Sequence, residues 1–160
     1  MDIYEYLKMD HKKVAHLFDL FEDSNMESHR KEIVFLITQE LLVHAHSEEE
    51  TFYKKLAHFP LTQGMASHGK EEHQEIEDQI MLVMNTSLTG KKWESEVLKL
   101  KKLVDHHVKE EESEIFKKAK KVLTEKEACV LKEKMHYLKG KLMLILTKPQ
   151  RSTDKFARSA

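Results

Sequence analysis

A short block occurs twice in this chain, and it constrains the fold more than any other feature of the sequence. The first copy covers residues 44–56 and reads HAHSEEETFYKKL, and the second covers residues 107–119 and reads HVKEEESEIFKKA. Each copy has a histidine, a glutamate pair that begins four residues later, two bulky apolar or aromatic residues and two lysines. Side chains four residues apart lie on one face of an α-helix. The repeat therefore predicts two helices that each present a histidine next to a glutamate.

The rest of the chain has the apolar spacing of α-helices and contains only 4 Gly and 2 Pro residues. We predict an all-α fold, in which four long helices form an antiparallel up-down four-helix bundle. A fifth, amphipathic helix is expected to pack on this bundle. The predicted helices cover residues 3–22, 28–58, 66–87, 91–122 and 124–147. The predicted units are a bundle over residues 1–122, a C-terminal helix over 123–148 and a flexible, disordered tail over 149–160.

Composition limits the classes of partner. The net charge of −1 indicates neither a nucleic-acid partner nor a membrane partner. Cys129 is the single cysteine, so an intrachain disulfide is excluded and a reducing compartment is favoured. The first residues lack the basic and apolar regions of a secretory signal, and no apolar stretch is long enough to span a bilayer. We therefore expect a cytoplasmic protein, whose oligomeric state the sequence leaves open.

The histidine–glutamate pairs lie on the apolar faces of their helices, and two further histidines do the same. His11 interrupts the apolar stripe of the first helix and His73 that of the third. Each helical residue rises about 1.5 Å, so the distance of each polar residue from its loop gives its height in the bundle. The heights of the polar residues on all four helices agree to within a few residues along the helix axes. The residues predicted to share one level are His11, His44, Glu48, His73, His107 and Glu111.

Such a layer is costly to bury unless its polar groups have partners. Two carboxylates at one level also repel each other, and metal cations remove that repulsion. In this interpretation the four imidazoles are terminal ligands and the two carboxylates bridge two metal ions. The donor set suits two iron ions better than a four-ligand structural zinc or an oxygen-ligated calcium. Manganese, or a mixed iron–manganese pair, stays an alternative.

Other polar residues near the predicted site have simpler interpretations. Glu49 and Glu112 are expected to point away from the ligand face, towards solvent or lysines. Tyr4 and Tyr53 are candidates for a phenol near the centre, although core packing is the favoured interpretation of both. His68 is ambiguous because Glu72 follows it by four residues. The remaining histidines are expected to lie outside the site: His16, His29, His46, His58, His106 and His136.

Over about residues 3–120, these residues resemble the hemerythrin-like family, whose cation-binding domain is often called HHE. The matching residues are Asp10-His11, His44-x-x-x-Glu48-Glu49, Glu72-His73 and His106-His107-x-x-x-Glu111-Glu112. The resemblance implies a four-helix bundle around a non-haem di-iron centre with two bridging carboxylates and an oxo or hydroxo bridge. Oxygen-carrying members have a further histidine where this chain has Gly69. They also end with a His-x-x-x-x-Asp pair, where this chain has His107-x-x-x-Glu111. The set here has six ligands, which is similar to redox-active and iron–sulfur-cluster-repair members.

We therefore expect redox chemistry, or binding of a small diatomic or peroxidic ligand such as nitric oxide, peroxide or dioxygen. The electron donor is not specified, and the pattern does not decide between catalysis and binding. Two alternatives stay open. One is reversible dioxygen storage or sensing. The other is an iron-responsive interaction module that the metal stabilises without turnover, with the fifth helix and the basic tail as its binding surface.

Overall fold

The computed structural model describes residues 1–85 and 87–147, and these residues confirm the all-α prediction. Their helices are α1 (Ile3–Asp23), α2 (Glu27–Glu48), π1 (Glu49–Tyr53), α3 (Lys54–Leu56), α4 (Pro60–Val83), α5 (Gly90–Glu110), π2 (Glu111–Ile115), α6 (Phe116–Val122) and α7 (Glu125–Thr147). The segments α2, π1 and α3 are continuous and form the second long helix. The segments α5, π2 and α6 form the fourth. With α1 and α4 they make the up-down bundle, while the predicted tail lies outside the described residues.

Local hydrogen bonds fix where the first and last helices begin. Asp2 caps α1, because its Oδ1 accepts a hydrogen bond from the Glu5 backbone N–H at 2.9 Å and the Glu5 carboxylate accepts one from the Asp2 N–H. The same reciprocal capping box joins Thr124 and Glu127 before α7. Both starts follow from short-range sequence signals.

The start of α4 differs from the prediction. The second helix was predicted to end at residue 58 and the third to begin near residue 66, but α4 begins at Pro60. Proline is favoured in the first turn of a helix, because the N–H that it lacks would have no partner there. The Thr62 hydroxyl also donates to the Leu56 carbonyl at 2.7 Å, which closes the tight connection between the two helices. The other end of α4 comes at Val83, before the predicted residue 87.

Apolar side chains form two clusters, one on each side of a polar layer in the middle of the bundle. The first core cluster includes Leu7, Phe52 and Phe116, and the second includes Val14 and Ile76. In the first cluster the ring of Tyr4 packs edge-on against Phe116, with 5.2 Å between centroids. The two clusters keep water from the polar layer and fix its height.

The last helix, α7, packs against α1 and the second long helix. Tyr6 Oη is hydrogen-bonded to His136 Nδ1 at 2.9 Å, and Lys139 Nζ donates to both oxygens of Asp10 at 2.6 and 2.7 Å. This contact covers one side of the bundle. The predicted division between residues 122 and 123 stays a prediction. Within residues 1–85 and 87–147, no helix has the length and apolar character needed to cross a membrane.

Candidate metal centre

The six predicted ligand residues converge in the polar layer between the two core clusters. The four histidines are between 3 % and 7 % exposed, and the two glutamates are 0 % exposed. They come from all four long helices of the bundle. The structure therefore brings together at one level the six residues whose heights were predicted from their distances to the loops. Their assignment as metal ligands stays a prediction. The six residues are His11, His44, Glu48, His73, His107 and Glu111.

Glu48 lies between histidines of two different helices. Its Oε2 is 3.5 Å from His44 Nε2, one turn away on α2, and 3.3 Å from His73 Nε2 on α4. Neither oxygen of Glu48 has a hydrogen-bond partner. A fully buried carboxylate in this state is costly unless a cation neutralises it.

Glu111 occupies the equivalent place on the other side of the layer. Its Oε1 is 3.3 Å from His11 Nε2, and its Oε2 is 3.6 Å from His107 Nε2. Glu111 Oε2 also accepts a hydrogen bond from the Tyr53 hydroxyl. Each glutamate therefore faces two imidazoles from different helices, which is the placement that a bridging carboxylate requires.

Each of the four histidines turns its other ring nitrogen to a second carboxylate. The Nδ1–oxygen distances range from 2.8 to 3.1 Å. Such a partner fixes the orientation of a histidine and directs its Nε2 into the layer, where it can bind a metal. Without a metal, the Nε2 atoms of His11 and His44 have no partner, and those of His73 and His107 lie 3.0 Å apart. The four pairs are His11 with Glu112, His44 with Asp10, His73 with Glu49 and His107 with Glu72.

These four pairs close a ring around the bundle. The carboxylate on α1 supports the histidine on the second long helix, whose own carboxylate supports the histidine on α4. The carboxylate on α4 supports the histidine on the fourth long helix, which returns the contact to α1. Each supporting carboxylate is the sequence neighbour of a predicted ligand. The expectation that Glu49 and Glu112 point to solvent or to lysines was wrong, because they bind histidines.

The charges of this layer are tightly linked. Burial alone would lower the pKa of His44, but the charge of Glu48 and the hydrogen bond with Asp10 raise it to about 10. Burial likewise opposes protonation of His73, whereas the nearby Glu48 carboxylate and the hydrogen bond with Glu49 raise its pKa to about 9. Without a cation the layer therefore holds protons between its imidazoles and carboxylates, and metal binding must displace them.

The donor atoms fit a metal better than they fit one another. The atoms without hydrogen-bond partners include Nε2 of His11 and His44, both oxygens of Glu48 and Oε1 of Glu111. Buried polar atoms in native proteins are nearly always paired. Unpaired nitrogens and oxygens face one another at 3.3 Å, between His11 Nε2 and Glu111 Oε1, and at 3.5 Å, between His44 Nε2 and Glu48 Oε2. Cations held by imidazole and carboxylate would fill such a gap.

Each copy of the repeated block contains a π-helical turn that sequence periodicity did not predict. Segment π1 starts directly after Glu48 and π2 starts at Glu111. Side-chain hydroxyls bond nearby carbonyls, as when Ser47 Oγ donates to Val43 O at 2.6 Å and Ser113 Oγ donates to Lys109 O at 2.7 Å. Such bonds compete with the regular helical ladder. A π turn changes the rotation from one residue to the next. Two consecutive bulky side chains in each block, Phe52 and Tyr53 in the first and Ile115 and Phe116 in the second, enter the first core cluster.

Tyr53 reaches the centre because Gly69 leaves room for it. A Cβ atom on Gly69 would lie 2.7 Å from three atoms of the Tyr53 phenol, so a larger residue there would exclude the ring. The Tyr53 ring stacks on His73 with 5.4 Å between centroids. Burial and the charge of Glu111 raise the pKa of Tyr53 well above its ordinary value, so its hydroxyl stays protonated. Core packing alone is therefore the wrong interpretation of Tyr53.

The other two ambiguous residues lie apart from the centre. Tyr4 packs among aromatic rings of the first core cluster, as the core-packing interpretation proposed. The His68 side chain is 51 % exposed, and its Nε2 faces Glu72 and Glu110 at 3.8 and 3.5 Å. It therefore belongs to the surface beside the centre rather than to the buried layer.

A small cavity opens on the side of the four histidines that faces the second core cluster. Its volume is about 20 Å³, and apolar side chains including Val14, Leu41, Ile76 and Val104 line it. A space of this size holds roughly one water-sized molecule. The cavity therefore offers a small ligand a position beside the imidazoles, while its apolar walls disfavour charged or large molecules.

Comparison with known proteins agrees with this geometry. A family model described as "Hemerythrin HHE cation binding domain" matches residues 2–119. A crystal structure of a hemerythrin HHE cation-binding domain-containing protein from Mycobacterium kansasii superposes with a TM-score of 0.74 at 25 % sequence identity, and the match covers 94 % of this chain and 95 % of that one.

A curated protein from Nostoc sp. that carries the name DNA nickase is 29 % identical over 116 residues, which is 72 % of this chain. The matched part is 33 % of that protein's length, so the chain spans about a third of this relative.

Proposed function

The chain belongs to the hemerythrin HHE cation-binding family, and on that premise we propose that it is a non-haem di-iron protein that binds and reacts with a small diatomic or peroxidic ligand. The observation that carries this proposal is the buried layer of four imidazoles and two carboxylates whose unpaired atoms face one another. The proposed ligands are His11, His44, Glu48, His73, His107 and Glu111.

Two iron ions suit this donor set, because imidazole and carboxylate are both good ligands for iron and each glutamate faces two histidines. Manganese remains the alternative metal. Iron in this place supplies one-electron redox chemistry and an affinity for dioxygen, nitric oxide or peroxide. The side chains around the centre determine which molecules can reach the iron.

The protein residues around the centre would act by orientation, proton donation and exclusion of water. The ring of carboxylates holds each imidazole in one orientation. The protonated Tyr53 hydroxyl donates to Glu111, so it reduces the negative charge that this carboxylate presents to a metal. The apolar cavity beside the histidines admits a molecule of about the size of water. The oriented imidazoles, the protonated Tyr53 hydroxyl and the small apolar cavity together favour a small uncharged ligand over an anionic substrate.

Nuclease activity does not follow from the Nostoc relative. About two thirds of that protein lies outside the match, and the net charge of −1 gives this chain little attraction for phosphate backbones. We propose a cytoplasmic protein without nucleic-acid or membrane partners, whose electron donor is a separate molecule.

Anaerobic loading with ferrous iron tests the proposal. The wild-type chain should retain about two irons after desalting, and the double variant Glu48→Gln, Glu111→Gln should retain almost none, because amides do not supply the bridging charge. The matched control is Glu50→Ala, Glu114→Ala, which changes two exposed glutamates of the same repeated blocks. Helix content from circular dichroism checks that all variants fold.

Mixing the loaded protein in turn with nitric oxide, hydrogen peroxide and dioxygen then identifies the reactant by stopped-flow absorption. If the variant Glu48→Gln, Glu111→Gln retains its iron, the proposed ligand set is wrong. A loaded centre that is inert to all three molecules would contradict the proposed reactivity.

A further inference from the structure

A second group of histidines and carboxylates lies on the surface formed by α4 and α5. His68 and Glu72 are four residues apart on α4, and His106 and Glu110 are four residues apart on α5. The chain thus repeats the histidine–glutamate spacing outside the buried centre. The His68 and His106 side chains are 51 % and 70 % exposed, Glu110 is 32 % exposed and Glu72 is 9 % exposed.

The four side chains point at one another across the two helices. His68 Nε2 lies 3.5 Å from Glu110 Oε1 and 3.8 Å from Glu72 Oε1. His106 Nε2 lies 3.4 Å from Glu72 Oε2 and 3.4 Å from Glu110 Oε2. Each imidazole therefore faces both carboxylates through the same ring nitrogen.

These distances are those between ligands of one metal ion. A good hydrogen bond between nitrogen and oxygen is about 2.9 Å long, whereas two ligand atoms bound at about 2.0–2.2 Å to a tetrahedral ion lie about 3.4 Å apart. Donor atoms of His68, Glu72 and Glu110 all lie within 4.8 Å of one another.

We propose that His68, Glu72, His106 and Glu110 bind one divalent transition-metal ion at the surface, distinct from the buried centre. Two imidazoles and two carboxylates suit zinc, for which cobalt(II) substitutes, rather than calcium or magnesium, which prefer oxygen ligands alone. Glu72 belongs to both places, because its Oε1 also accepts the hydrogen bond from His107 Nδ1 at 3.1 Å. A test must therefore change the two exposed histidines and leave Glu72 intact.

Cobalt(II) is the probe, because a four-coordinate cobalt ion absorbs visible light far more strongly than a six-coordinate one. Titration is carried out on the full chain with Glu48→Gln, Glu111→Gln, so the result does not depend on the buried centre. This protein should bind about one cobalt with the strong absorption of four-coordination. Adding His68→Ala, His106→Ala should lower the affinity at least about 100-fold, since loss of even an outer partner costs about 10–100-fold.

The matched control adds His16→Ala, His29→Ala, which removes two exposed histidines of α1 and α2 and should leave the titration unchanged. The same histidine pairs are also compared in the wild-type chain, where only His68→Ala, His106→Ala should reduce the bound cobalt, by about one ion. Equal cobalt affinity with and without His68 and His106 would overturn the proposal. Absorption typical of six-coordinate cobalt alone, or an equal loss in the control, would do the same.

Discussion

The two copies of the repeated block give the centre the same donors but place them in different surroundings. In the first copy Tyr53 donates a hydrogen bond to the glutamate of the other copy, and Gly69 on α4 leaves room for its ring. The corresponding residues on the other side are Phe116, which has no hydroxyl, and Leu7 on α1; both are buried in the first core cluster. Glu111 therefore has a phenol partner and Glu48 has none. The repeat conserves the ligands, while the neighbouring side chains make the two halves chemically distinct.

The supporting carboxylates differ in the same way. Asp10, which holds His44 of the first copy, is covered by α7 and paired with Lys139. Glu72, which holds His107 of the second copy, faces exposed histidines instead. One half of the centre is thus closed by an additional helix and the other half borders solvent. Equal donors with unequal surroundings are suited to two metal positions with different affinities and reactivities.

Asp10→Asn tests the closed half and should have the largest effect. It weakens the support of His44 and leaves Lys139 without its carboxylate, so iron affinity measured by chelator competition should fall by about 10–100-fold. Glu72→Gln, which strips no lysine of its partner, should cause a smaller loss. Asp19→Asn, an exposed aspartate of α1, is the control. Wild-type affinity in the Asp10 variant would show that the carboxylate ring does not support the centre.

Gly69→Ala should break the contrast between the halves by displacing Tyr53. The new Cβ would lie 2.7 Å from the phenol, so the free energy of unfolding should fall by about 1–3 kcal/mol. Gly64→Ala on the same helix meets nothing within 4 Å, and it should gain up to about 1 kcal/mol from the better helix propensity of alanine. Urea denaturation measures both variants. If Gly69→Ala leaves the free energy of unfolding unchanged, the Tyr53 ring can take another position without loss of packing.

Tyr53→Phe gives the first copy the side chain that the second has at Phe116. The hydrogen bond to Glu111 is lost, which should cost about 1 kcal/mol of stability. Iron content should stay unchanged, but the rate of reaction with peroxide should move away from the wild-type rate. Tyr6→Phe is the control, because its hydroxyl bonds His136 outside the centre. Identical peroxide kinetics in the wild type and the Tyr53 variant would leave this phenol with a packing role only.

Lys139→Met probes the cover over the closed half and should have the smallest effect. The side chains of Lys139 and Asp10 are 16 % and 11 % exposed, and Asp10 keeps its hydrogen bond with His44 in this variant. The buried carboxylate is therefore not left without a partner, and the loss of the lysine contact should cost about 1 kcal/mol. Thermal unfolding should therefore shift only slightly, while iron should leave the protein faster because Asp10 is no longer held by Lys139. Lys134→Met, on the exposed side of α7, serves for comparison. Iron release that does not change would separate α7 from the properties of the centre.

Much of this arrangement could be predicted from local signals. Helical periodicity places His44 and Glu48 on one face, and loop distances bring His11 and His73 to their level. The helix starts at Ile3 and Glu125 follow from the capping residues Asp2 and Thr124 directly before them. These features depend on short stretches of chain, which is why one sequence suffices to find them.

The rest depends on contacts between helices. Whether a carboxylate next to a ligand faces solvent or the adjacent helix is set by helix rotation, so periodicity alone could not assign Glu49 or Glu112. The π turns were missed because a 3.6-residue period assumes a regular ladder. One signal was present, since every ligand-bearing helix carries an acidic residue beside a predicted ligand. The packing of Tyr53 against Gly69 required coordinates, because these residues come from different helices.

The ring of histidine–carboxylate pairs makes the four helices of the bundle mutually dependent. Each helix holds one imidazole and also steers the imidazole of the next, so turning any helix disturbs its neighbour's donor as well as its own. Because the four histidine–carboxylate pairs form a closed ring, a change in the position of one helix alters the donor atoms on its neighbours as well. We expect homologues with an altered ligand on one helix to carry a matching change on the helix beside it, so that lineages diverge at this centre by coordinated pairs of substitutions.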